Sequence, residues 1–179
     1  MTKLLDADTM RKAFQLVDSE LKNKARFIVG GGAAMTLAYS HPLATHDVDA
    51  FAARGGLSIA DVDALAKKIA TRLGIAGDWL NSHFDTYTIV LPSDYATRLR
   101  RVFNGKQLTV DALGPEDLLI MKCFAARAKD RPHAAALFRH ISNFDIVDKQ
   151  LDLLLQKRYP KAQEAADYFD QLRDSLQQD

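Results

Sequence analysis

Two aspartates separated by a single residue carry the clearest chemistry in this chain. Asp47 and Asp49 lie in an apolar segment that favours a β-strand, with only Val48 between them. Successive side chains of a strand point to opposite faces, so the two carboxylates would share one face, about 7 Å apart along the strand. Carboxylate oxygens are the ligands that Mg²⁺ and Mn²⁺ prefer. The spacing therefore predicts a site for one or two divalent cations.

A run of glycines precedes this acidic pair. Gly30, Gly31 and Gly32 follow the apolar residues 27–29 and open a helix-forming segment. Glycine lets the backbone approach a ligand closely, and the N-terminus of a helix favours an anion. A glycine run alone is often only a tight turn, and alternating acids often lie on a solvated strand face. Together they predict a phosphate cradle beside a metal site, which phosphoryl or nucleotidyl transfer needs.

The hydrophobic periodicity indicates which elements must position these residues. It predicts strands at residues 27–29, 47–52 and 108–112, and helices over 8–23, 33–39 and 59–73. Residues 77–84 are expected to be irregular with Trp79 packed inward, and residues 87–91 have a β-rich composition. Helices are expected at 115–129, from Pro132, around 151–155 and from Pro160. The fold class is α/β (α+β): a small mixed β-sheet flanked by helices, then a C-terminal helical region.

This layout predicts an α/β core over residues 1–113 and a helical region over 114–179 packed on it, with one single domain as the alternative.

Composition excludes several other classes of protein. The chain has 179 residues, 47% of them hydrophobic, and a formal net charge of +1, so only a local patch would bind nucleic acid. A single cysteine, Cys123, excludes an internal disulfide and a multi-cysteine zinc site. No apolar run reaches the length of a membrane span, and no signal peptide is visible, so we expect a cytoplasmic protein with no membrane partner.

Several motifs, in one order, resemble the DNA polymerase beta-type nucleotidyltransferase superfamily. They are GGGAAMTLAY from Gly30, T-x-D-V-D-A-F from Thr45, D-W-L-N from Asp78, P-E-D-L-L-x-M-K from Pro115 and A-A-R-x-K-D from Ala125. Within the superfamily, the chain looks nearest to uncharacterised bacterial proteins related to the nucleotidyltransferase toxins of abortive-infection systems. The resemblance covers roughly residues 25–140 and implies the minimal nucleotidyltransferase fold.

The resemblance also implies roles for individual residues. Asp47 and Asp49 would bind Mg²⁺ (or Mn²⁺) that bridges the phosphates of an NTP. The residues expected against the nucleotide are Gly30, Gly31, Gly32, Thr45, Lys122, Arg127 and Asp130. For the last three, an exposed helix face with charge pairs is an equal alternative. A third acid on a later strand helps to activate the attacking hydroxyl in the superfamily, and Asp111 is the candidate here, with a solvated strand residue as its alternative.

The chain departs from the superfamily pattern near the acidic motif and after it. Relatives usually carry an arginine shortly before Thr45, where this chain has Leu43 and Ala44. The loss of a basic residue beside the phosphates would weaken nucleotide binding, unless His46 or Arg54 substitutes. Relatives often have a further aspartate where this chain has the run RPHA from Arg131. These departures keep open a domain that binds nucleotide without efficient turnover.

Other clusters give weaker signals. The histidines, His41, His46, His83, His133 and His140, show no paired ligand spacing and are expected to be poor metal ligands. A basic cluster of Arg98, Arg100, Arg101 and Lys106 would hold RNA phosphates or form a solvated connection. In the D-W-L-N motif, a structural role for Trp79 is favoured, and Asn81 would reach a base or a backbone group.

Three functions follow from these observations. The first is a magnesium-dependent enzyme that transfers a nucleoside monophosphate from an NTP to a hydroxyl on RNA, such as a tRNA end, or on a protein. The resemblance adds a toxin or phage-defence role with a cognate antitoxin, and no recognition of DNA sequence is expected. The second is a catalytically degenerate protein of the same fold that binds a nucleotide or a partner. The third is a helical interaction protein that exposes the stripe Leu151, Leu154, Phe169 and Leu172.

Overall fold

The computed structural model describes residues 3–42, 44–126 and 131–176. Its strands are β1 (Ala25–Val29), β2 (Val48–Ala52), β3 (Leu80–Asn81), β4 (Arg100–Asn104) and β5 (Leu108–Ala112). Its α-helices are α1 (Ala7–Glu20), α2 (Gly31–Ala38), α3 (Ile59–Leu73), α4 (Pro115–Ala125), α5 (Arg131–Phe138), α6 (Asp145–Gln156) and α7 (Ala162–Leu176). Two 3₁₀ helices, Asp85–Val90 and Tyr95–Arg98, lie between β3 and β4.

The described strands form one mixed sheet in the order β3-β2-β1-β5-β4. Strand β1 is central, parallel to β5 and antiparallel to β2, and the short strand β3 runs parallel to β2. Strand β4 pairs antiparallel with β5 at the other edge. The predicted fold class, a small mixed sheet with flanking helices and a helical C-terminal region, is confirmed.

The contacts divide the chain into two compact units. One consists of residues 1–85 and 99–113, and the other of residues 86–98 and 114–179. Residues 86–98 belong with the helices because Gln150 donates a hydrogen bond of 2.8 Å to the carbonyl of Val90, and Arg98 binds Asp117. The division into separate domains at residue 113 stays a prediction.

Helix ends in the first unit follow from local capping chemistry. Helix α1 begins after Asp6, whose carboxylate accepts a hydrogen bond from the Thr9 N–H at 2.7 Å, and its first residue, Ala7, lies one position before the predicted start at residue 8. Helix α3 has a reciprocal capping box between Ser58 and Asp61. It ends at Gly74, which has a left-handed conformation with φ 67°.

Trp79 anchors the loop between α3 and β3, as predicted. Its side chain is completely buried, its indole N–H donates to the Ala66 carbonyl at 2.9 Å, and its ring centroid lies 6.1 Å from that of Phe14. A buried indole with a satisfied N–H contributes a large apolar area at no polar cost. The loop that leads into β3 is therefore held in one place.

Three local predictions were wrong. Residues 87–91, expected to be β-like, lie mostly in the 3₁₀ helix Asp85–Val90. Residues 77–84, expected to be irregular, contain β3. Strand β4 was missed because its exposed arginines give no apolar alternation. Neighbouring strands thus override weak local propensity in both edge strands.

The apolar stripe of the C-terminal helices is internal to the second unit. Leu151, Leu154, Phe169 and Leu172 are at most 4% exposed. The hypothesis of a helical protein that exposes this stripe to a partner is therefore wrong.

Cys123 on α4 is also fully buried, and burial raises the pKa of its thiol to about 12, which keeps it protonated and unreactive.

None of the described helices is both long and apolar enough to cross a membrane.

Candidate functional site

The glycine turn joins the central strand to α2 and touches the acidic strand. Strand β1 ends at Val29, and the N–H of Gly30 donates a hydrogen bond of 3.0 Å to the carbonyl of Asp49. Helix α2 begins immediately afterwards, with Gly30 as its N-cap. The first N–H groups of a helix have no acceptor within the helix. The turn therefore places the N-terminus of α2 beside Asp49.

Backbone and side chains approach each other closely at all three glycines. A Cβ on Gly31 would lie 3.0 Å from Oδ2 of Asp49, and Gly31 has a positive φ of 53°. A Cβ on Gly30 would lie 2.7 Å from the ring of Phe84, and one on Gly32 would lie 3.1 Å from Oγ1 of Thr45. The glycines, Thr45 and Asp49, predicted separately from the sequence, are thus brought together in the first unit.

Asp47, Asp49 and His83 lie close enough together to hold a metal ion. Each offers one ligand atom, and these atoms lie within 4.8 Å of one another. The two aspartates are half-buried and the histidine is exposed, so the group opens to solvent on one side. Such a separation suits one cation held by all three side chains.

Asn81 positions two members of this group. In the parallel pairing of β2 with β3, Asn81 lies directly opposite Asp49. Its amide donates a hydrogen bond of 3.1 Å to Oδ2 of Asp47, and its carbonyl accepts one of 2.9 Å from the N–H of His83. Asn81 is only 8% exposed. One buried amide therefore fixes both a carboxylate and the turn that carries the imidazole.

Sequence reasoning missed the roles of Asn81 and His83. Periodicity left residues 77–84 irregular, and a search for paired histidine spacing discards a ligand whose partners are aspartates 34 to 36 positions earlier. His83 was expected to be a poor metal ligand, but one of its ring nitrogens lies within 4.8 Å of carboxylate oxygens of both aspartates. The usable signal was the D-W-L-N motif, because Leu80 and Asn81, which follow the buried Trp79, form β3 beside β2.

Asp111 does not lie with this group. It is on β5, opposite Ile28 of β1, whereas Asp49 is on β2, so two strand spacings, roughly 10 Å, separate them. Its carboxylate is 2% exposed and accepts hydrogen bonds from Arg26, at 2.8 Å, and from Arg101. Asp111 is thus not a solvated residue, because two guanidinium groups bind its carboxylate. Its role as the third catalytic acid stays a prediction.

The remaining predicted residues belong to the second unit or lie outside the described residues. Lys122 is on α4, 6% exposed, with its Nζ 3.3 Å from Nδ1 of His133. An exposed helix face is therefore wrong for Lys122, and its contact with nucleotide stays a prediction. Arg127 and Asp130 lie outside the described residues.

One comparison with known proteins identifies a family for this chain. A family model described as "Nucleotidyltransferase of unknown function (DUF6036)" matches residues 3–164. The chain belongs to this nucleotidyltransferase family. No curated protein and no solved structure shows significant similarity to it.

In this nucleotidyltransferase, the side chains around the glycine turn suit a divalent cation. Two carboxylates and one imidazole offer oxygen and nitrogen ligands, a mixture that Mn²⁺ accepts and that Mg²⁺ accepts through its oxygens. The half-buried carboxylates lie close enough to repel each other, and a cation would relieve that repulsion. The residues therefore fit a metal on the chemistry of the donors alone.

Proposed function

We propose that this protein is a nucleotidyltransferase that uses Mg²⁺ or Mn²⁺ to transfer a nucleoside monophosphate from an NTP to a hydroxyl. The observation that carries the proposal is the convergence of Asp47, Asp49 and His83 within 4.8 Å beside the glycine turn. Membership of the nucleotidyltransferase family supports the same reaction class. The acceptor is a hydroxyl on RNA or on a protein.

Each part of the site has a task in this reaction. Asp47, Asp49 and His83 would hold the cation, which supplies charge neutralisation for the triphosphate when bound. The N-terminus of α2 and the backbone of Gly31 and Gly32 would bind phosphate oxygens, because their N–H groups and the helix dipole favour an anion. Asn81 keeps the Asp47 carboxylate in place through its hydrogen bond. These contacts bind the triphosphate and orient it.

The transfer itself is a displacement at the α-phosphorus. The acceptor oxygen forms a bond to the α-phosphorus, and the bond from that phosphorus to the α,β-bridging oxygen breaks. The products are the nucleotidylated acceptor and pyrophosphate, and the acceptor hydroxyl proton passes to water. Catalysis by positioning and charge stabilisation is sufficient for this chemistry.

Nucleotide binding should depend on the two carboxylates. In calorimetric titrations of ATP, GTP, CTP and UTP with Mg²⁺ or Mn²⁺, we expect the native protein to bind at least one nucleotide. The Asp47→Asn, Asp49→Asn variant should lose metal-dependent binding, because an amide is a weaker ligand and carries no charge. Its melting temperature should equal or exceed that of the native protein, since the variant removes two neighbouring like charges.

A matched control separates this effect from a general loss of negative charge. Asp8→Asn, Asp63→Asn removes two exposed helix carboxylates elsewhere and should leave nucleotide binding unchanged. Absence of binding by a folded native protein, or equal binding by native protein and the Asp47→Asn, Asp49→Asn variant, would overturn the proposal.

A catalytically degenerate protein of the same fold is the second candidate, and a specific observation favours it. On β3, the strand next to the acidic pair, the residue opposite Asp49 is the amide Asn81, while Asp111 is bound by two arginines. Nucleotide would then bind without efficient transfer. Release of pyrophosphate from bound NTP in the presence of an acceptor distinguishes the two, because only the enzyme produces it.

The proposal extends to the cell through sequence resemblance. Similarity of the motifs to the abortive-infection toxins supports a toxin or phage-defence component that is paired with an antitoxin and acts in the cytoplasm.

A further inference from the structure

A basic cavity lies in the first unit at the opposite end of the central strand from the glycine turn. Its volume is about 410 Å³, and four cationic side chains line it: Lys24, Arg26, Arg54 and Lys106. All four residues are exposed. The other described residues of its wall are alanines, glycines and the neutral polar residues Asn104, Gln107 and Thr109, with no carboxylate among them. We call this site, lined by these four cationic side chains, the basic cavity.

Sheet topology brings these cations together from three separate segments. Lys24 and Arg26 lie at the start of β1, and Arg54 follows β2 next to Ala53, whose N–H donates to the Arg26 carbonyl at 2.8 Å. Lys106 lies in the turn between β4 and β5. Charges from distant parts of the sequence thus concentrate at one sheet end, in a chain whose formal net charge is only +1.

Two nearby carboxylates, Asp18 and Asp111, offset only part of the positive charge of the cavity. Asp18 accepts hydrogen bonds from the N–H groups of Lys106, Gln107 and Leu108, at 2.7 to 3.1 Å, and so holds the backbone of the turn. Burial raises the pKa of Asp18, but these three bonds outweigh burial, and its pKa is lowered. Asp111 is shared by Arg26 and Arg101, so one negative charge serves two cations.

Arg26 of the basic cavity shares a sheet face with Asp49. Arg26 and Ile28 are two residues apart on β1 and therefore lie on the same face of the sheet. Ile28 pairs with Phe51 of β2, and Phe51 lies on the same face as Asp49, two residues earlier. Asp49 lies beside Gly30, four residues along β1 from Arg26, which corresponds to about 13 Å. At about 3.4 Å per nucleotide of a stacked strand, this is the length of about four nucleotides.

From this arrangement, and resting on the proposed function, we propose that the basic cavity binds the phosphodiester backbone of a single-stranded nucleic-acid acceptor. The strand's terminal hydroxyl then lies at Asp47 and Asp49, and phosphates a few nucleotides away lie against Lys24, Arg54 and Lys106. Arg26 contributes from the cavity wall while it remains bound to Asp111.

The lining of the cavity favours nucleic acid over a protein acceptor. Protein interfaces are enriched in aromatic residues and depleted in lysine, whereas this cavity has two lysines and no aromatic side chain among its described residues. Phosphate contacts draw on lysine, arginine, asparagine, glutamine and threonine, which are the side chains present. The small volume suits one stretch of backbone rather than a duplex.

The test is a fluorescence-anisotropy titration with a labelled 12-nucleotide RNA and with DNA of the same sequence. We expect the Lys24→Gln, Arg54→Gln, Lys106→Gln variant to bind RNA on the order of tenfold or more weaker than the native protein. The slope of log affinity against log salt should fall by about 2, since three single-strand phosphate contacts are lost. Equal loss with DNA assigns the contacts to phosphate alone, and a preference for RNA assigns a further contact to the 2′-hydroxyl.

Two comparisons keep this result separate from the proposed function. The variant Lys12→Gln, Lys67→Gln removes exposed charge elsewhere and should bind RNA like the native protein, and the triple variant should keep metal-dependent NTP binding. The Asp47→Asn, Asp49→Asn variant should still bind RNA. Unchanged RNA affinity in the triple variant would overturn the basic cavity as the binding surface, whereas loss of NTP binding in the native protein would overturn the proposed function alone.

Discussion

Replacing Arg98 by alanine should lower the free energy of unfolding by about 3–5 kcal/mol. Arg98 donates two hydrogen bonds to Asp117, from Nε at 3.0 Å and from Nη2 at 2.8 Å, and the Asp117 side chain is completely buried. Burial raises the pKa of Asp117, and Arg98 opposes that rise by neutralising the carboxylate. Without the guanidinium, a charged carboxylate stays buried alone or must take up a proton.

Urea denaturation of three variants tests this account of the pair. Arg98→Met, Asp117→Leu removes both charges and should recover most of the stability, because the cost arises from the unpaired partner. Arg72→Ala removes an ion pair with Glu20 that is screened by solvent, so its effect on stability should be small. A loss in Arg98→Ala no larger than that in Arg72→Ala would contradict the prediction.

The loss of stability caused by Arg98→Ala should become smaller as the pH falls. The folded-state pKa of Asp117 would be raised further in the variant, so the variant gains stability relative to the native protein as the carboxyl becomes protonated. The difference between the two proteins should therefore narrow as the pH falls toward about 4.

Replacing Gly31 by alanine should weaken nucleotide binding on the order of 100-fold. Gly31 has φ 53°, and its Cβ would approach Oδ2 of Asp49 to 3.0 Å. The alanine therefore displaces either the first turn of α2 or the Asp49 carboxylate, and both are needed for the proposed triphosphate site. Calorimetric titration with the nucleotide that the native protein binds measures this effect.

Gly74 provides a matched control for backbone strain. It has φ 67°, and a Cβ there would meet nothing within 4 Å. Gly74→Ala and Gly31→Ala should each cost about 1–2 kcal/mol of stability from the left-handed conformation alone. Only Gly31→Ala should lose nucleotide affinity. Equal affinity in the two variants would show that the approach of Gly31 to Asp49 has no part in binding.

The candidate site was predictable where local sequence determines geometry. Glycines after an apolar run, and two aspartates at strand spacing, indicated the turn and the acidic pair, and the structure places them together with Thr45. Helix ends were similarly accessible, because capping chemistry depends on residues within a few positions of each other, although α1 begins slightly earlier than predicted.

The parts that sequence reasoning missed depend on which strands become neighbours. Asn81 and His83 join the site because β3 pairs with β2, and β3 has only two residues and no alternating pattern. Asp111 was expected at the site as the third acid of the superfamily, but β5 pairs with the edge of β1 that faces away from β2. Strand order is set by long-range packing, which one sequence's periodicity does not contain.

Anomalous diffraction from crystals grown with MnCl₂ and a non-hydrolysable NTP is the most direct test of a metal-dependent site. We predict a manganese peak bounded by Asp47, Asp49 and His83, with carboxylate oxygens at about 2.0–2.6 Å, and triphosphate density beside the glycine turn. Nucleotide bound elsewhere, or manganese absent from these carboxylates while the nucleotide is present, would contradict the account.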